Sequence, residues 1–189
     1  MRKGKIIILT TLVLGIFLGM VPMSYCTEGG AESGIGVKVG YLMPSDRLVN
    51  DIYGSGLTFG ADYLYIFPEK PYGAKFGIDY FSKSKSMVVW GVSIDQSWSV
   101  IPVTGSFVYF LTPEKNFYIG VGLGYYSAKE TIEIAGISGS ASESALGFHC
   151  IGGYNFGSFF GEVKISSATV FDDVQVGGIS ILAGYRFKV

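Results

Sequence analysis

Alternation of apolar residues with period two runs through most of the chain and continues to its last residue. In the closing stretch ILAGYRFKV, Ile181, Ala183, Tyr185, Phe187 and Val189 occupy every second position. Seven earlier segments alternate in the same way, which predicts strands over about 35–43, 57–67, 74–81, 98–110, 117–126, 145–154 and 162–165, with the last over 176–189. The pattern indicates an all-β chain of eight antiparallel strands.

The connections between these segments alternate in length. Those after strands two, four and six are short, and those after strands one, three, five and seven are longer. This arrangement predicts an up-and-down barrel with four long loops at one end. Pro102 cannot donate a ladder hydrogen bond, so a bulge or irregular pairing is expected within the fourth strand.

The first 26 residues have the pattern of a secretory signal peptide. A basic start (RKGK) precedes an apolar core over 6–21, and Ser24 and Cys26 fit the small-residue positions before a cleavage site. We predict a signal peptide over 1–26, a short tail over 27–33 and a barrel over 34–189. An uncleaved anchor helix is the alternative. Tyr25 argues against lipidation of the neighbouring cysteine.

Composition favours a membrane barrel. Only 15% of the residues are charged and 49% are hydrophobic, whereas about 25% are charged in a typical soluble domain. No apolar run of about 18 residues follows position 26, which argues against membrane-spanning helices. The mildly acidic mature chain has no basic footprint for nucleic acid. Cys150 is the one cysteine left after cleavage, so no intramolecular disulfide is expected.

The two faces of the predicted strands differ in a way that places lipid outside. One face carries aromatic and aliphatic residues, and the other is rich in glycine with a few charges of both signs. A soluble lipocalin-type barrel, which has the same period, would carry many charges on its outer face. A narrow lumen filled by paired charged side chains fits better, because eight strands leave just enough room for side chains. The predicted structural network consists of Lys38, Asp62, Lys75, Asp79, His149, Glu162, Lys164 and Arg186.

A lipid environment also explains why the chain ends within a strand. An open sheet edge in hydrocarbon would leave backbone groups unpaired, at several kcal/mol each. We therefore expect the last strand to pair with the first, with Phe187 facing lipid and Arg186 facing the lumen.

These segments resemble the small eight-stranded outer-membrane β-barrel family, which includes the barrel domains of outer membrane proteins A and X. The stretch VGYLMPSDRLVNDIYGSGLTFGADY resembles the opening hairpin of the family, and GYRFKV resembles its C-terminal assembly signal. The resemblance implies location in the outer membrane of a Gram-negative-type cell and contact with lipid and lipopolysaccharide. It also implies recognition by the barrel-assembly machinery through Gly184, Tyr185, Phe187 and Val189. The family hosts many roles, so the resemblance implies no particular activity.

His149 is the only histidine and the first candidate for catalysis. Lipid A deacylases built on eight-stranded barrels have a serine two residues after their histidine, and Ile151 occupies that position here. Without this serine nucleophile, the catalytic triad of histidine, serine and glutamate is incomplete. We therefore predict no catalytic, cofactor or metal site and no enzymatic activity. The alternatives are a lipid A-modifying enzyme and a narrow pore or carrier of small apolar ligands.

The four long loops are the remaining candidates for activity. We expect a structural or surface-interaction role, in which they face an extracellular partner from a plugged, rigid barrel. Their mildly acidic charge suits contacts with a partner or a divalent cation, or simple solvation. The acids are Asp46, Asp51, Asp95, Glu130, Glu133, Glu143, Asp172 and Asp173, and the bases are Arg47, Lys83, Lys85 and Lys129.

Overall fold

Eight antiparallel strands form one closed barrel in the computed structural model, which describes residues 33–90, 92–170 and 174–189. Each strand pairs with the next along the chain, and the last pairs with the first. The predicted all-β, up-and-down barrel is therefore confirmed, whereas the signal peptide and most of the predicted tail lie outside the described residues. The elements are β1 (Gly34–Pro44), α1 (Arg47–Ile52), β2 (Gly56–Ile66), β3 (Tyr72–Val89), β4 (Val92–Phe110), β5 (Phe117–Ile134), β6 (Ile137–Phe156), β7 (Phe159–Val170) and β8 (Val174–Lys188).

The register of the ladders shows how far the strands are staggered. A path from partner to partner around the barrel starts at Gly34 and returns to β1 at Pro44, ten residues further along. Between these ends it passes through Leu64, Lys75, Ser106, Gly122, His149, Ser166 and Gly178. A closed sheet requires such a stagger, which tilts the strands by about 35–45° to the barrel axis.

Pro102 disturbs the β3–β4 ladder. The pairs Ile78–Val103 and Phe81–Val100 keep one register, and no pair is formed at Pro102 in this described part of the ladder. On its other side, Pro102 pairs with Tyr126 of β5. The expected irregular pairing is confirmed, and the constant register shows that it involves no inserted residue.

The prediction of four long loops is wrong for three of them. β3 and β4 continue to a turn at Trp90, β5 and β6 continue to Ala135 and Gly136, and β7 and β8 continue to positions 170 and 174. Ala135 and Gly136 have φ values of 51° and 85°, as a two-residue type I′ hairpin turn requires. The extensions are rich in polar residues, which is why their strand pattern is weak in the sequence.

The first connection keeps the expected loop form and contains the short helix α1. None of the helices among the described residues is long and apolar enough to cross a membrane. We call the end of the barrel that carries α1 the loop end and the opposite end, with the connections at 67–71, 111–116 and 157–158, the turn end.

The outer surface of the barrel carries an apolar belt that ends abruptly toward the loop end. On the side of the turn end, the last outward residues of the belt on four strands are exposed, namely Tyr80, Ile101, Tyr125 and Leu146. The next outward position on each of the four strands is a serine, namely Ser82, Ser99, Ser127 and Ser144. Aromatic and aliphatic side chains meet hydrocarbon in membrane barrels, so this change of composition marks one boundary of the bilayer. The face predicted to meet lipid is the outer face of the barrel.

Candidate functional site

The eight side chains predicted for the lumen all lie buried inside the barrel. Six strands contribute them, because every second residue of a strand faces the same side of the sheet. The seven charged members form two linked groups. The Asp62 cluster contains Asp62, Lys75, Glu162 and Arg186, and the Asp79 cluster contains Lys38, Asp79 and Lys164.

The Asp62 cluster joins strands from opposite sides of the lumen. One carboxylate oxygen of Asp62 accepts a hydrogen bond from Arg186 at 3.2 Å, and the other lies 3.2 Å from the Lys75 ammonium. Lys75 also contacts Glu162, and the same oxygen of Glu162 accepts a hydrogen bond from the Tyr118 hydroxyl at 2.7 Å. Two cations face two carboxylates, so this cluster is balanced in charge.

The Asp79 cluster contains two cations and one carboxylate. Its single carboxylate contacts Lys38 at 2.8 Å through one oxygen and Lys164 at 2.9 Å through the other. Lys38 also lies 3.8 Å from Asp62, which links the two clusters. Removing one partner of a buried ion pair destabilises a protein by about 3–5 kcal/mol, so the network strongly constrains which residues can face inward.

His149 lies next to the clusters, and its Nε2 is 2.7 Å from the Ser106 hydroxyl. Gly122 lies beside the ring, and a Cβ there would lie 2.1 Å from the backbone oxygen of Gly105 and 2.7 Å from Cε1 of His149, so only glycine fits without a shift. A serine beside a histidine is the pairing of a nucleophile with a base. Here, however, the adjoining cavity measures about 10 Å³, which accommodates about one water and no substrate.

Ile151, at the position of the deacylase serine, is buried inside the barrel. The His149 side chain likewise faces the lumen and not lipid. Within the part of the chain that the structure describes, no three His, Cys, Asp or Glu residues are grouped to hold a metal ion.

Sequence reasoning missed three polar members of the interior. Tyr118 binds Glu162, and Ser106 binds His149. Asn155 accepts a hydrogen bond from Arg186 at 2.7 Å and thereby ties the network to the turn end. Tyr118 could have been found, because it alternates with lipid-facing residues on the same face as the glycines of β5. The sequence holds no comparable signal for Asn155.

Apolar layers lie on both sides of the ionic network. The turn-end layer consists of Leu64, Ile66, Val108, Phe110, Tyr118 and Ile151. The loop-end layer consists of Val49, Tyr53, Phe81, Trp98, Val100, Tyr126, Ala128, Ala168, Val170 and Val176. A cavity of about 30 Å³ remains between the loop-end layer and the Asp79 cluster. The interior is therefore filled in three layers, apolar, ionic and apolar, and not with charges alone.

Helix α1 and the residues around it cover the loop-end layer. The Tyr53 ring stacks on Trp98 with centroids 6.0 Å apart, and its hydroxyl donates to Glu130 at 2.8 Å. Burial raises the pKa of the Tyr53 hydroxyl, and the bond to Glu130 raises it further. Asp46 accepts hydrogen bonds from the backbone of Val49 at 3.2 Å and of Gln175 on β8 at 3.1 Å. These contacts hold α1 over the mouth of the barrel.

Beyond the bilayer boundary, four strands continue as what we call the projecting sheet, residues 82–89, 92–99, 127–134 and 137–144. One cross-strand row near its tip is formed by Met87, Ile94, Ile134 and Ile137. These apolar residues share the inward parity of the lumen residues, whereas the outward positions, apart from Val88, carry serine, threonine or charge. The outward face is therefore mainly polar beyond the boundary, as expected where water replaces lipid outside, and the row at the tip places apolar residues on the inward side.

The predicted assembly-signal residues lie on β8 beside β1. Tyr185, Phe187 and Val189 are exposed on the outer surface. The Tyr185 ring makes edge contacts with Phe159 and Phe187, with centroids 5.1 and 5.0 Å apart. Gly184 faces inward, where a Cβ would lie 2.5 Å from the ring of Phe160. Their role in assembly stays a prediction.

No protein-family model matches the chain, and no curated protein matches it. Among solved structures, it is similar to the crystal structure of Ail, the attachment invasion locus protein of Yersinia pestis, with 21% identity, a TM-score of 0.60, and coverage of 83% of this chain and 100% of that one. Ail in complex with the heparin analogue sucrose octasulfate matches with 20% identity, a TM-score of 0.62 and the same coverage. Neisserial surface protein A (NspA) matches with 14% identity, a TM-score of 0.51, and coverage of 86% and 100%. The predicted resemblance to small eight-stranded outer-membrane barrels is confirmed for the fold.

Proposed function

We propose that this outer-membrane barrel is a surface-interaction protein, whose closed lumen serves as a rigid base and whose projecting sheet binds an extended segment of an extracellular partner. The observation that carries the proposal is the outer edge of β6. Among the described residues, β7 pairs with β6 only from Gly147 onward, so no strand covers the edge from Ile137 to Leu146. An uncovered edge presents backbone donors and acceptors in a row, which is a template for pairing with another strand.

The two edges of the projecting sheet differ in chemistry. The β3 edge carries Lys83 and Lys85, and lysines on an edge discourage strand pairing. The β6 edge reads ISGSASESAL, with Glu143 as its one charged residue and no proline. Residues 137–144 are all exposed. The β6 edge is therefore the better candidate for strand addition.

Charge at the loop end favours a polypeptide over a polyanion as the partner. In the described residues of this end, six acids outnumber four bases. The acids are Asp46, Asp51, Asp95, Glu130, Glu133 and Glu143, and the bases are Arg47, Lys83, Lys85 and Lys129. The solved complex of Ail contains a heparin analogue, but a sulfated polysaccharide would meet net repulsion here.

Orientation is tested with an epitope inserted at one of two sites in living cells. Short turns lie on the periplasmic side and extensions outside in bacterial barrels. An epitope after Ser138 should be accessible to antibody on intact cells, and an epitope after Glu114 should be accessible only in broken cells. The reverse pattern would contradict the proposed topology.

Function is tested by placing charges on one edge only. Cells that produce the Ser140→Lys, Ser142→Lys double variant should adhere several-fold less to a cultured cell monolayer than cells with the unaltered protein. Ser84→Lys adds a cation to the β3 edge of the same sheet and is the matched control, which should leave adhesion unchanged. Equal adhesion of producing and non-producing cells, with the protein accessible on the surface, would refute the proposed role.

The filled interior supports a pore or an enzyme less well than it supports a surface-interaction protein. Single-channel recording in planar bilayers addresses the pore directly, and we expect no stable conductance from the intact barrel. A lipid A-modifying activity would need a nucleophile on the lipid face near His149, whose side chain is buried in the lumen.

A further inference from the structure

A gap interrupts the inward side of the β6 edge at Gly139. By strand parity, Ile137, Gly139 and Ala141 face the same side of the projecting sheet as the lumen residues. A Cβ at Gly139 would have no atom within 4 Å beyond those of its chain neighbours. The edge strand therefore leaves an open space on this side, between the side chains two residues before and two residues after the glycine.

The boundaries of this space are apolar. Gly139 pairs with Ile132 of β5, and the next pair on the same face is Ile134–Ile137. Ile137 is 79% exposed, and Ala141 contributes only a methyl group on the other side. We call the space bounded by Ile132, Ile137 and Ala141 the Gly139 notch. None of these three side chains has a polar atom, so the notch suits an apolar group and offers nothing to a charged one.

The remaining side of the notch is the side on which a partner strand would be added. Among the described residues, no strand pairs with β6 there, because β7 pairs with it only from Gly147 onward. Residues directly opposite each other on paired strands have Cβ atoms about 4.5–5.5 Å apart, and aromatic side chains also reach the diagonal neighbours. A small side chain opposite Gly139 would leave the notch empty, whereas an aromatic ring would cover the glycine and contact Ile137 and Ala141.

We propose that the partner segment carries an aromatic side chain that occupies the Gly139 notch and determines which segments bind; this inference rests on the strand addition proposed above. The backbone of the β6 edge can pair with many sequences, and in strand addition it is the pockets for alternate side chains that give specificity. The outward side of the same edge offers no such selection, because its side chains are uniform and hydrophilic. They are Ser138, Ser140, Ser142 and Ser144.

The test is a selection of displayed random decapeptides on the refolded barrel in lipid nanodiscs, after depletion on empty nanodiscs. The affinities of the selected peptides are then measured from the anisotropy of a fluorescent label. We expect the peptides to share an aromatic residue at one position, and its replacement by alanine should weaken binding by about two- to fivefold.

Two variants of the barrel locate this preference on one face of the edge. Gly139→Val fills the notch with a residue that favours strands, and it should bind the aromatic peptide and its alanine form equally. Ser140→Val is the matched control, because it places the same side chain one residue along on the outward face. It should retain the preference for the aromatic peptide.

Failure of the notch and failure of strand addition give different results. Peptides that lose binding to the Ser140→Lys, Ser142→Lys variant but show no aromatic preference would overturn the notch and leave strand addition in place. An aromatic preference that persists in Gly139→Val would do the same. If no selected peptide is sensitive to the double variant, strand addition at this edge is refuted and the notch with it.

Discussion

Replacing Asp62 with asparagine removes one negative charge from the lumen with almost no change in shape. Arg186 and Lys75 each lie 3.2 Å from the Asp62 carboxylate, whose side chain is 0% exposed. The amide that replaces it accepts hydrogen bonds on one oxygen only and turns a donor toward one of the cations. One cation thus faces a donor in place of its acceptor, the other keeps a contact with a neutral oxygen only, and both lie buried away from water.

Removal of one partner from a buried ion pair lowers the free energy of unfolding by about 3–5 kcal/mol. A loss of about 4 kcal/mol corresponds to a change of roughly a thousandfold in the ratio of folded to unfolded protein. The exposed pair Arg47–Asp51 is the matched control, since its side chains are 81% and 63% exposed and 3.8 Å apart. Asp51→Asn should change stability by only about 0–1 kcal/mol.

The assay is urea unfolding of the refolded barrel in detergent micelles, with the folded fraction read from the mobility of unheated samples on a gel. A second variant separates charge from shape. Arg186→Met combined with Asp62→Asn removes both partners and leaves Lys75 paired with Glu162. The double variant should be less destabilised than the sum of the two single variants, by about 0.5–3 kcal/mol. Strict additivity, or a loss below 1 kcal/mol for Asp62→Asn alone, would refute the reasoning.

Three further predictions concern the cover, the packing and the assembly of the barrel. Because the pKa of Tyr53 is raised in the folded protein, its contribution to the docking of α1 is full below the ordinary value of 10.0 and is lost progressively as the pH rises from there through the raised pKa; a fluorescence change of the tryptophan on which it stacks should report the loss, and Tyr53→Phe should remove this pH step. Gly122→Val should lower the free energy of unfolding by about 1–3 kcal/mol or more, because a Cβ there would lie 2.1 Å from the backbone oxygen of Gly105 and 2.7 Å from the His149 ring, and His149→Ala should recover only a small part of the loss; a neutral effect in urea unfolding would contradict the close approach. Phe187→Arg should refold in micelles at a cost of about 0–1 kcal/mol yet fail to accumulate in the outer membrane of cells, whereas Lys188→Gln should do both normally; normal accumulation of Phe187→Arg would argue against an assembly role.

Strand parity in the sequence was sufficient to place the charged side chains inside. Lys75 and Asp79 are separated by an even number of positions, so both must face the same side of β3. Which partner each one contacts depends on the register between strands that are distant in sequence. Lys75 meets Glu162, and no local pattern encodes that distance. The pairing could therefore not be predicted, although the membership of the network could.

The strand extensions were missed because the solvent changes along them. Below the boundary, β5 has apolar residues such as Tyr125 outside, and above it Thr131 and Glu133 take the outer positions while Ile132 and Ile134 face inward. A search for strands that keep their apolar residues on one face stops at the point where the outward residues become polar, although the alternation with period two continues. The correct signal was the unbroken period, and the change from apolar to polar outward residues locates the bilayer boundary.

The filled lumen and the strand extensions together restrict where this protein can act. Three layers of side chains fill the described interior, and the outer belt presents apolar groups suited to contact with acyl chains. The partner that we propose would therefore bind at an end of the barrel, and the short connections of the turn end offer little surface. At the loop end, α1 covers the mouth and directs the accessible surface to the projecting sheet. Because the β4–β5 ladder is continuous from Phe110 to Ile94, the sheet is anchored in the closed barrel below it. A strand added at the β6 edge would extend a sheet that is already ordered, so the main entropic cost of binding would fall on the partner's segment.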